Sequence, residues 1–192
     1  MSKIKLESNP SGTGTFTIQS PASSTDRTLT LPDEAGTVLT SASDIQSQAM
    51  GSVPVFRAYR ASSNQSISSV TTTTIILNAT EYDSNSDFNT STGVYTPSVA
   101  GYYQFNGMVA LSPDGSETGG FIAILYKNST WTASADGYRS AGSTRFSAHV
   151  SDIIYMNGTT DNVTLRTYIA FAKPVIAGSP HTYLSGALVR RA

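Results

Sequence analysis

The sequence contains no cysteine, and this absence removes several kinds of chemistry at once. A chain without thiols forms no disulfides, holds no thiolate zinc site and offers no thiol nucleophile. The sequence also lacks any run of about 18 apolar residues, the length that a membrane span needs. Its first residues do not form the apolar stretch of a secretion signal. We therefore expect no export signal, no membrane insertion, and a stability that rests on packing or oligomerisation.

Charged residues are scarce as well, at 13% of the 192 positions. The 12 basic and 13 acidic side chains are spread along the chain and give a net charge of -1. A nucleic-acid-binding surface needs clustered lysine and arginine to neutralise phosphates. We therefore expect no nucleic acid among the partners.

Short bursts of Tyr, Phe, Ile and Val between turn residues predict an all-β fold. The clearest strand spans 102–111, where Tyr103, Phe105, Val109 and Leu111 share one face at a period of two. Further strands are predicted at 55–59, 73–78, 120–126, 147–156, 162–171 and 182–189, all within a head formed by residues 53–192. The core of this head is predicted to include Tyr103, Phe105, Ile124 and Leu165.

The strand at 120–126 is apolar on both faces. In one interpretation it meets the internal core on one side and a second subunit on the other. In the alternative it lies deep in the centre of a single monomer. The first interpretation predicts subunit contacts at Phe121, Ala123 and Leu125. Tyr102 and Met108 lie on the other face of the strand at 102–111, which is not purely polar, and are predicted at subunit contacts as well.

The first 52 residues differ from the head in composition. Residues 1–40 form an arm with short threonine-rich alternations and too few large apolar side chains to bury a core. This arm is either disordered or ordered by winding with copies of itself, which implies an oligomer. In the linker at 41–52, Ser43 followed by Gln46 makes a capping-box pattern that favours a short helix, with a flexible hinge as the alternative.

Patterns for catalysis are weak. His149 and Asp152 stand three apart on a predicted strand, so their side chains point to opposite faces and form no triad. The carboxylate pairs Asp114–Glu117 and Asp83–Asp87 lie in polar, turn-like stretches where acidic side chains are normally solvated. We expect no enzymatic activity, no catalytic residues and no cofactor.

A metal site is also not predicted. Asp83, Asn85 and Asp87 alternate like the first three ligands of a calcium loop. However, Phe88 stands where that loop needs glycine, and Val94 stands where it needs a carboxylate. A surface turn is the better interpretation.

The stretch 92–105 resembles the signature of the complement C1q-like head, an aromatic-Thr-x-Pro turn followed by Gly-x-Tyr-x-Phe. The segments 125–128 and 183–188 resemble later parts of the same family in the same order. The resemblance covers 53–189. It implies a ten-stranded jelly roll, related to tumour necrosis factor, that assembles as a homotrimer with its termini at the base and a free tip of loops.

The arm resembles a module in the fibres of tailed bacteriophages, most specifically in the Thr-Leu-Thr-Leu-Pro-Asp-Glu-Ala-Gly-Thr-Val-Leu stretch at 28–39. This resemblance implies that the arm docks on other virion proteins, with docking residues Leu29, Leu31, Val38 and Leu39. It implies a virion protein, made in the bacterial cytoplasm, that serves as a trimeric tail fibre for host attachment. A capsid (head) fibre or decoration protein is the alternative, and a secreted C1q-like lectin is less favoured because no signal sequence precedes the arm.

Receptor binding to a host glycan or protein is predicted at Trp131, Tyr138 and Arg139, on loops between the segment ending near residue 128 and the strand starting near residue 146. Trp131 is the only tryptophan and lies in a stretch of weak core periodicity. A sugar ring can stack on its indole while Arg139 donates hydrogen bonds. Packing of Trp131 against the flank of the jelly roll is the alternative.

Overall fold

A computed structural model describes residues 7, 10–15, 17, 19, 22–26, 28, 30, 53–112, 118–139 and 146–192. The chain divides into two compact units, Met1–Thr40 and Ser41–Ala192. The described residues of the first unit belong to no strand or helix. The predicted linker helix at 41–52 lies outside the described residues, as do the predicted docking residues Leu29, Leu31, Val38 and Leu39.

Eleven strands build the described part of the second unit, and three of them are only two residues long. They are β1 (Val55–Tyr59), β2 (Thr73–Thr74), β3 (Ala79–Asp83), β4 (Phe88–Asn89), β5 (Val94–Tyr95), β6 (Gly101–Leu111), β7 (Gly119–Lys127), β8 (Thr130–Arg139), β9 (Phe146–Met156), β10 (Val163–Ile169) and β11 (Tyr183–Arg191).

The strands form two antiparallel sheets that enclose the core. The first sheet has the order β3-β1-β11-β6-β9, and the second has the order β4-β5-β10-β7-β8, with β2 also paired to β10. In the first sheet β6 lies between β11 and β9. Tyr103 of β6 pairs with Leu188 of β11 on one side and with Ile154 of β9 on the other. In the second sheet β7 lies between β10 and β8. The prediction of an all-β head is confirmed.

The core is rich in aromatic side chains contributed by both sheets. Phe56 of the first sheet stacks on Tyr95 of the second, with ring centroids 3.9 Å apart and planes 14° apart. The Tyr103 hydroxyl donates a hydrogen bond to the Val99 carbonyl at 2.8 Å, and burial raises the pKa of this phenol to about 12. Phe105 packs edge-on to Tyr95, with ring centroids 6.0 Å apart. The predicted core residues Tyr103, Phe105, Ile124 and Leu165 are all fully buried.

Strand β7 corrects the predicted subunit contact. Phe121, Ala123 and Leu125 are at most 1% exposed within one chain and belong to its core cluster. These side chains offer no surface to a second subunit, so the interface prediction is wrong for all three. The strand is apolar on both faces and lies between β10 and β8, and Ile124 on its opposite face is also fully buried.

Strand β8 corrects the predicted loops around Trp131 and Tyr138. Its inward positions are Ala133, Ala135 and Gly137, which pair with the core residues of β7. A Cβ at Gly137 would meet Phe121 Cζ at 2.3 Å, so the large ring of β7 occupies the space where β8 has no side chain. The inward face of β8 therefore carries no large apolar residue, and its sequence shows no strand periodicity.

Candidate functional site

Of the candidate catalytic pairs, His149 and Asp152 do not come together on β9. His149 is exposed on β9, whereas Asp152 lies on the opposite face, as predicted, and its Oδ1 accepts a hydrogen bond from the Ile153 backbone N–H at 2.8 Å. The pair Asp114–Glu117 lies outside the described residues.

Asp83 and Asp87 organise the turn between β3 and β4. The Asp83 carboxylate accepts hydrogen bonds from the backbone N–H groups of Asp87 at 3.2 Å and Phe88 at 2.8 Å. Asp87 Oδ2 accepts from the Ser98 N–H at 3.0 Å and the Ser98 hydroxyl at 3.1 Å. The carboxylate oxygens of Asp83 and Asp87 thus accept hydrogen bonds that stabilise this turn. In the part of the chain that the structure describes, no group of three or more His, Cys, Asp or Glu residues is placed to hold a metal.

The strands of the first sheet carry most of the exposed large apolar side chains. Six of the nine such residues in the described ranges lie on them: Val55, Tyr82, Tyr102, Ile153, Tyr155 and Val189. We call these six residues the first-sheet face. Tyr102 and Tyr155 are cross-strand neighbours whose ring centroids lie 5.4 Å apart. The interface prediction for Tyr102 falls on this face.

A small polar network lies on β6 and β9 beside the first-sheet face. Gln104 Nε2 donates a hydrogen bond to Ser151 Oγ at 2.8 Å, and Ser151 Oγ donates to Asn106 Oδ1 at 2.9 Å. These polar groups already form hydrogen bonds with one another. A partner could therefore cover them without leaving these bonded groups unsatisfied.

Met108, also predicted at a subunit contact, is half-buried. It lines a cleft of about 490 Å³ together with Ala110, Phe146, Ser147, Ile176 and His181. Across the strand pair, Met108 faces His149. Both histidines of the sequence therefore lie near one end of the first sheet, and the subunit contact at Met108 stays a prediction.

Trp131 lies at one end of β8 on the outer face of the second sheet. Its ring packs against Tyr126, with centroids 6.0 Å apart, and remains 44% exposed. The Arg166 guanidinium covers the same Tyr126 ring at 4.1 Å from its centroid, and Arg166 Nε donates to Thr164 Oγ1 at 3.1 Å. Trp131 is thus partly packed against Tyr126 and partly exposed, and its receptor-binding role stays a prediction.

Tyr138 lies at the other end of β8 and is 72% exposed. Tyr138 is seven positions along the strand from Trp131, about 23 Å at 3.3 Å per residue. The structure therefore does not bring the predicted receptor-binding residues into one site. Arg139 is the last residue of β8, and its side chain is outside the described part of the structure.

Tyr138 instead borders a groove of about 360 Å³ on the outer face of the second sheet, the Gly120 groove. Its lining includes Gly120, Ile122, Asp136, Tyr138, Tyr168 and Ala170. Sequence reasoning missed Asp136 and Tyr168 as site residues. The available signal was the glycine at 120 that interrupts the outward side chains of β7, since glycine within a strand marks a close approach or an open space.

Solved structures with the same architecture include several proteins of the C1q and tumour necrosis factor type. The globular domain of zebrafish complement 1qA is 21% identical, with a TM-score of 0.54, and the match covers 72% of this chain and 99% of that one. Eiger TNF from S. frugiperda is 8% identical, with a TM-score of 0.58, over 73% of this chain and 94% of that one. Murine APRIL at pH 5.0 is 14% identical, with a TM-score of 0.51, over 71% and 99%. No protein-family model matches the sequence, and no curated protein sequence does.

These likenesses define the class of fold. The head is a C1q/TNF-like jelly roll, as the resemblance at 92–105 predicted. The described residues include no helix with the length and apolar character of a membrane span.

Proposed function

We propose that this chain is a trimeric fibre protein of a bacteriophage virion, whose arm docks on the particle and whose jelly-roll head attaches to the host surface. The role of the head is binding and not catalysis. The phage setting rests on the sequence of the arm at 28–39, and the trimer rests on the geometry of the head.

The first-sheet face is the observation that carries the trimer. Ile153 and Val189 are 54% and 58% exposed in the single chain. Monomeric soluble proteins rarely leave large apolar side chains clustered on one surface, because covering them stabilises the protein by about 25 cal/mol per Å². Trimers are typical of the C1q/TNF-like fold. We therefore propose that two further copies of this chain cover the first-sheet face.

Attachment by such a head would be multivalent. Three copies of one site on a rigid trimer, and several trimers on a particle, raise the effective concentration of every further contact after the first. Individually weak contacts then add up to firm adsorption. The second sheet is suited to this role because its outer face lies on the other side of the core from the first-sheet face.

Electron microscopy of purified particles, with gold-labelled antibodies against the head, tests the proposed location. Label at the tail supports the fibre proposal. Label distributed over the capsid would instead support a head fibre or decoration protein. Particles without any label, from a culture in which the protein is expressed, would contradict both virion roles.

A further inference from the structure

We propose that the Gly120 groove binds an uncharged glycan and is the attachment site of the head. This inference rests on the proposed attachment function and names its ligand class. The groove holds about 360 Å³, which falls within the range of about 300–1,000 Å³ that is usual for small-molecule sites.

The floor of the groove is open because Gly120 has no side chain. A Cβ built at this position would have a single neighbour within 4 Å, the Gly137 carbonyl oxygen at 3.9 Å. Gly120 pairs with Tyr138 on β8, and the next outward residue of β7, Ile122, pairs with Asp136 on β8 and Tyr168 on β10. Two phenol rings thus stand on the strands that flank an apolar floor.

The spacing of the two tyrosines favours a flat ring over a compact cation. Tyr138 and Tyr168 are two strands apart, about 10 Å across the sheet, and are offset by two residues, about 7 Å, along it, which places them about 12 Å apart. A cation midway between positions about 12 Å apart lies about 6 Å from each, at the outer limit for a contact with an aromatic centroid, so the two rings do not close around a compact ammonium as a cage would. A pyranose ring can instead lay its C–H face against either phenol.

Asp136 supplies the polar contact. Its side chain is exposed, and it has no hydrogen bond or ion pair with any described residue. A carboxylate accepts hydrogen bonds from adjacent sugar hydroxyls, and such charge-assisted bonds are roughly twice as strong as neutral ones. Among the residues whose side chains the structure describes, the lining includes no basic side chain, so the carboxylate of a sialic or uronic acid would meet the negative charge of Asp136 there. The groove therefore selects neutral sugars over acidic ones.

A pair of matched substitutions isolates the groove. Gly120→Val fills the floor with a side chain that suits a strand, and its Cβ would have no neighbour closer than the Gly137 carbonyl oxygen at 3.9 Å. Ser134→Val adds the same side chain to the same sheet face, outside the groove lining. Tyr138→Ala, which removes one wall, serves as a second variant, and thermal melting of each variant verifies that the head remains folded.

The full chain and its variants should be applied to one array. The array carries oligosaccharides ending in glucose, galactose, rhamnose or N-acetylglucosamine, together with sialylated and uronic-acid oligosaccharides and phosphocholine. We expect the wild-type chain to bind at least one neutral class, at least tenfold weaker binding by Gly120→Val and Tyr138→Ala, and binding within twofold of wild type by Ser134→Val. Binding confined to acidic glycans or phosphocholine would overturn the inference, as would no binding to neutral glycans or undiminished binding by Gly120→Val.

Adsorption of the same labelled proteins to host cells separates this inference from the proposed function. If wild type and Gly120→Val adsorb equally, attachment stands and the groove is not its site. If neither adsorbs while array binding depends on Gly120, the groove binds glycan and the attachment function fails.

Discussion

Gly186 occupies a position in the core where no side chain fits. A Cβ there would lie 2.6 Å from Phe56 Cε1 and 3.0 Å from Phe105 Cδ1, and both rings are fully buried in the aromatic cluster. We expect Gly186→Ala to lower the free energy of unfolding by about 1–3 kcal/mol, the usual cost of overpacking a core. Chemical denaturation measures this change.

Gly120→Ala is the control for that substitution, because its new methyl group meets only one atom, at 3.9 Å. It should leave the stability unchanged or raise it by up to about 1 kcal/mol, since alanine loses less backbone entropy than glycine on folding. Equal destabilisation by both alanines would contradict the packing described around Gly186.

Periodicity identified individual core residues well on strands with one apolar face. Tyr103 and Phe105 alternate with polar neighbours, so their inward direction could be predicted from the sequence. Phe121 and Leu125 alternate with apolar neighbours, and a period of two does not say which face of such a strand points inward. The error at β7 followed from that ambiguity.

At the scale of elements, the long strands were predictable and the short or small-residue strands were not. Strand β1 spans the predicted residues, and β6 and β9 each begin one residue earlier than predicted. Strand β8 was missed because its inward residues are alanine and glycine. The Gly120 groove was missed with it, since two of its walls stand on β8 and the groove exists only once β8 pairs with β7.

The turn that follows β9 is tied to the end of β7 through Asp161. Its carboxylate accepts a hydrogen bond from Asn128 Nδ2 at 3.0 Å and pairs with Lys127 Nζ at 2.8 Å. The Asn128 hydrogen bond and the Lys127 contact lower the pKa of this carboxyl from its ordinary value of 3.8. The charged form therefore stabilises the fold at neutral pH.

We expect Asp161→Asn to lower the melting temperature by about 3 °C at pH 7, the effect of losing roughly 1 kcal/mol. Because the folded pKa lies below the unfolded one, this stabilisation is present above pH 3.8 and is lost as the pH falls through the folded value. The difference between variant and wild type should therefore shrink in acid. Asp136→Asn removes a carboxylate without a partner among the described residues and serves as the control. A difference that stays constant down to pH 2 would contradict the assigned role of Asp161.

At the scale of the whole molecule, the fold of the head was predictable because a signature at 92–105 coincides with the turn into β6, which lies between β11 and β9. Sequence did not determine what covers the first-sheet face, because several strands that are distant in the chain contribute to it. Tyr102 and Tyr155, for example, become neighbours only through the pairing of β6 with β9.

The arm is predicted to serve docking and not the stability of the head. Deleting residues 1–40 should leave the melting temperature and the oligomeric state of the head unchanged, because the core is formed by residues after Val53. Particles produced with the truncated chain should lack the head, as detected by immunoblot. Normal incorporation of the truncated chain would refute the docking role of Leu29, Leu31, Val38 and Leu39.

The mass of the full chain in solution tests the central claim most directly. Multi-angle light scattering at micromolar concentration should give three times the chain mass of 20.3 kDa. Ile153→Lys, which places a charge on the first-sheet face, should yield a smaller, folded species. Val70→Lys should remain a trimer. Val70 is also an exposed aliphatic residue, at 66% against 54% for Ile153, but it lies in a turn outside the first-sheet face. A folded wild-type monomer of 20.3 kDa would contradict the account.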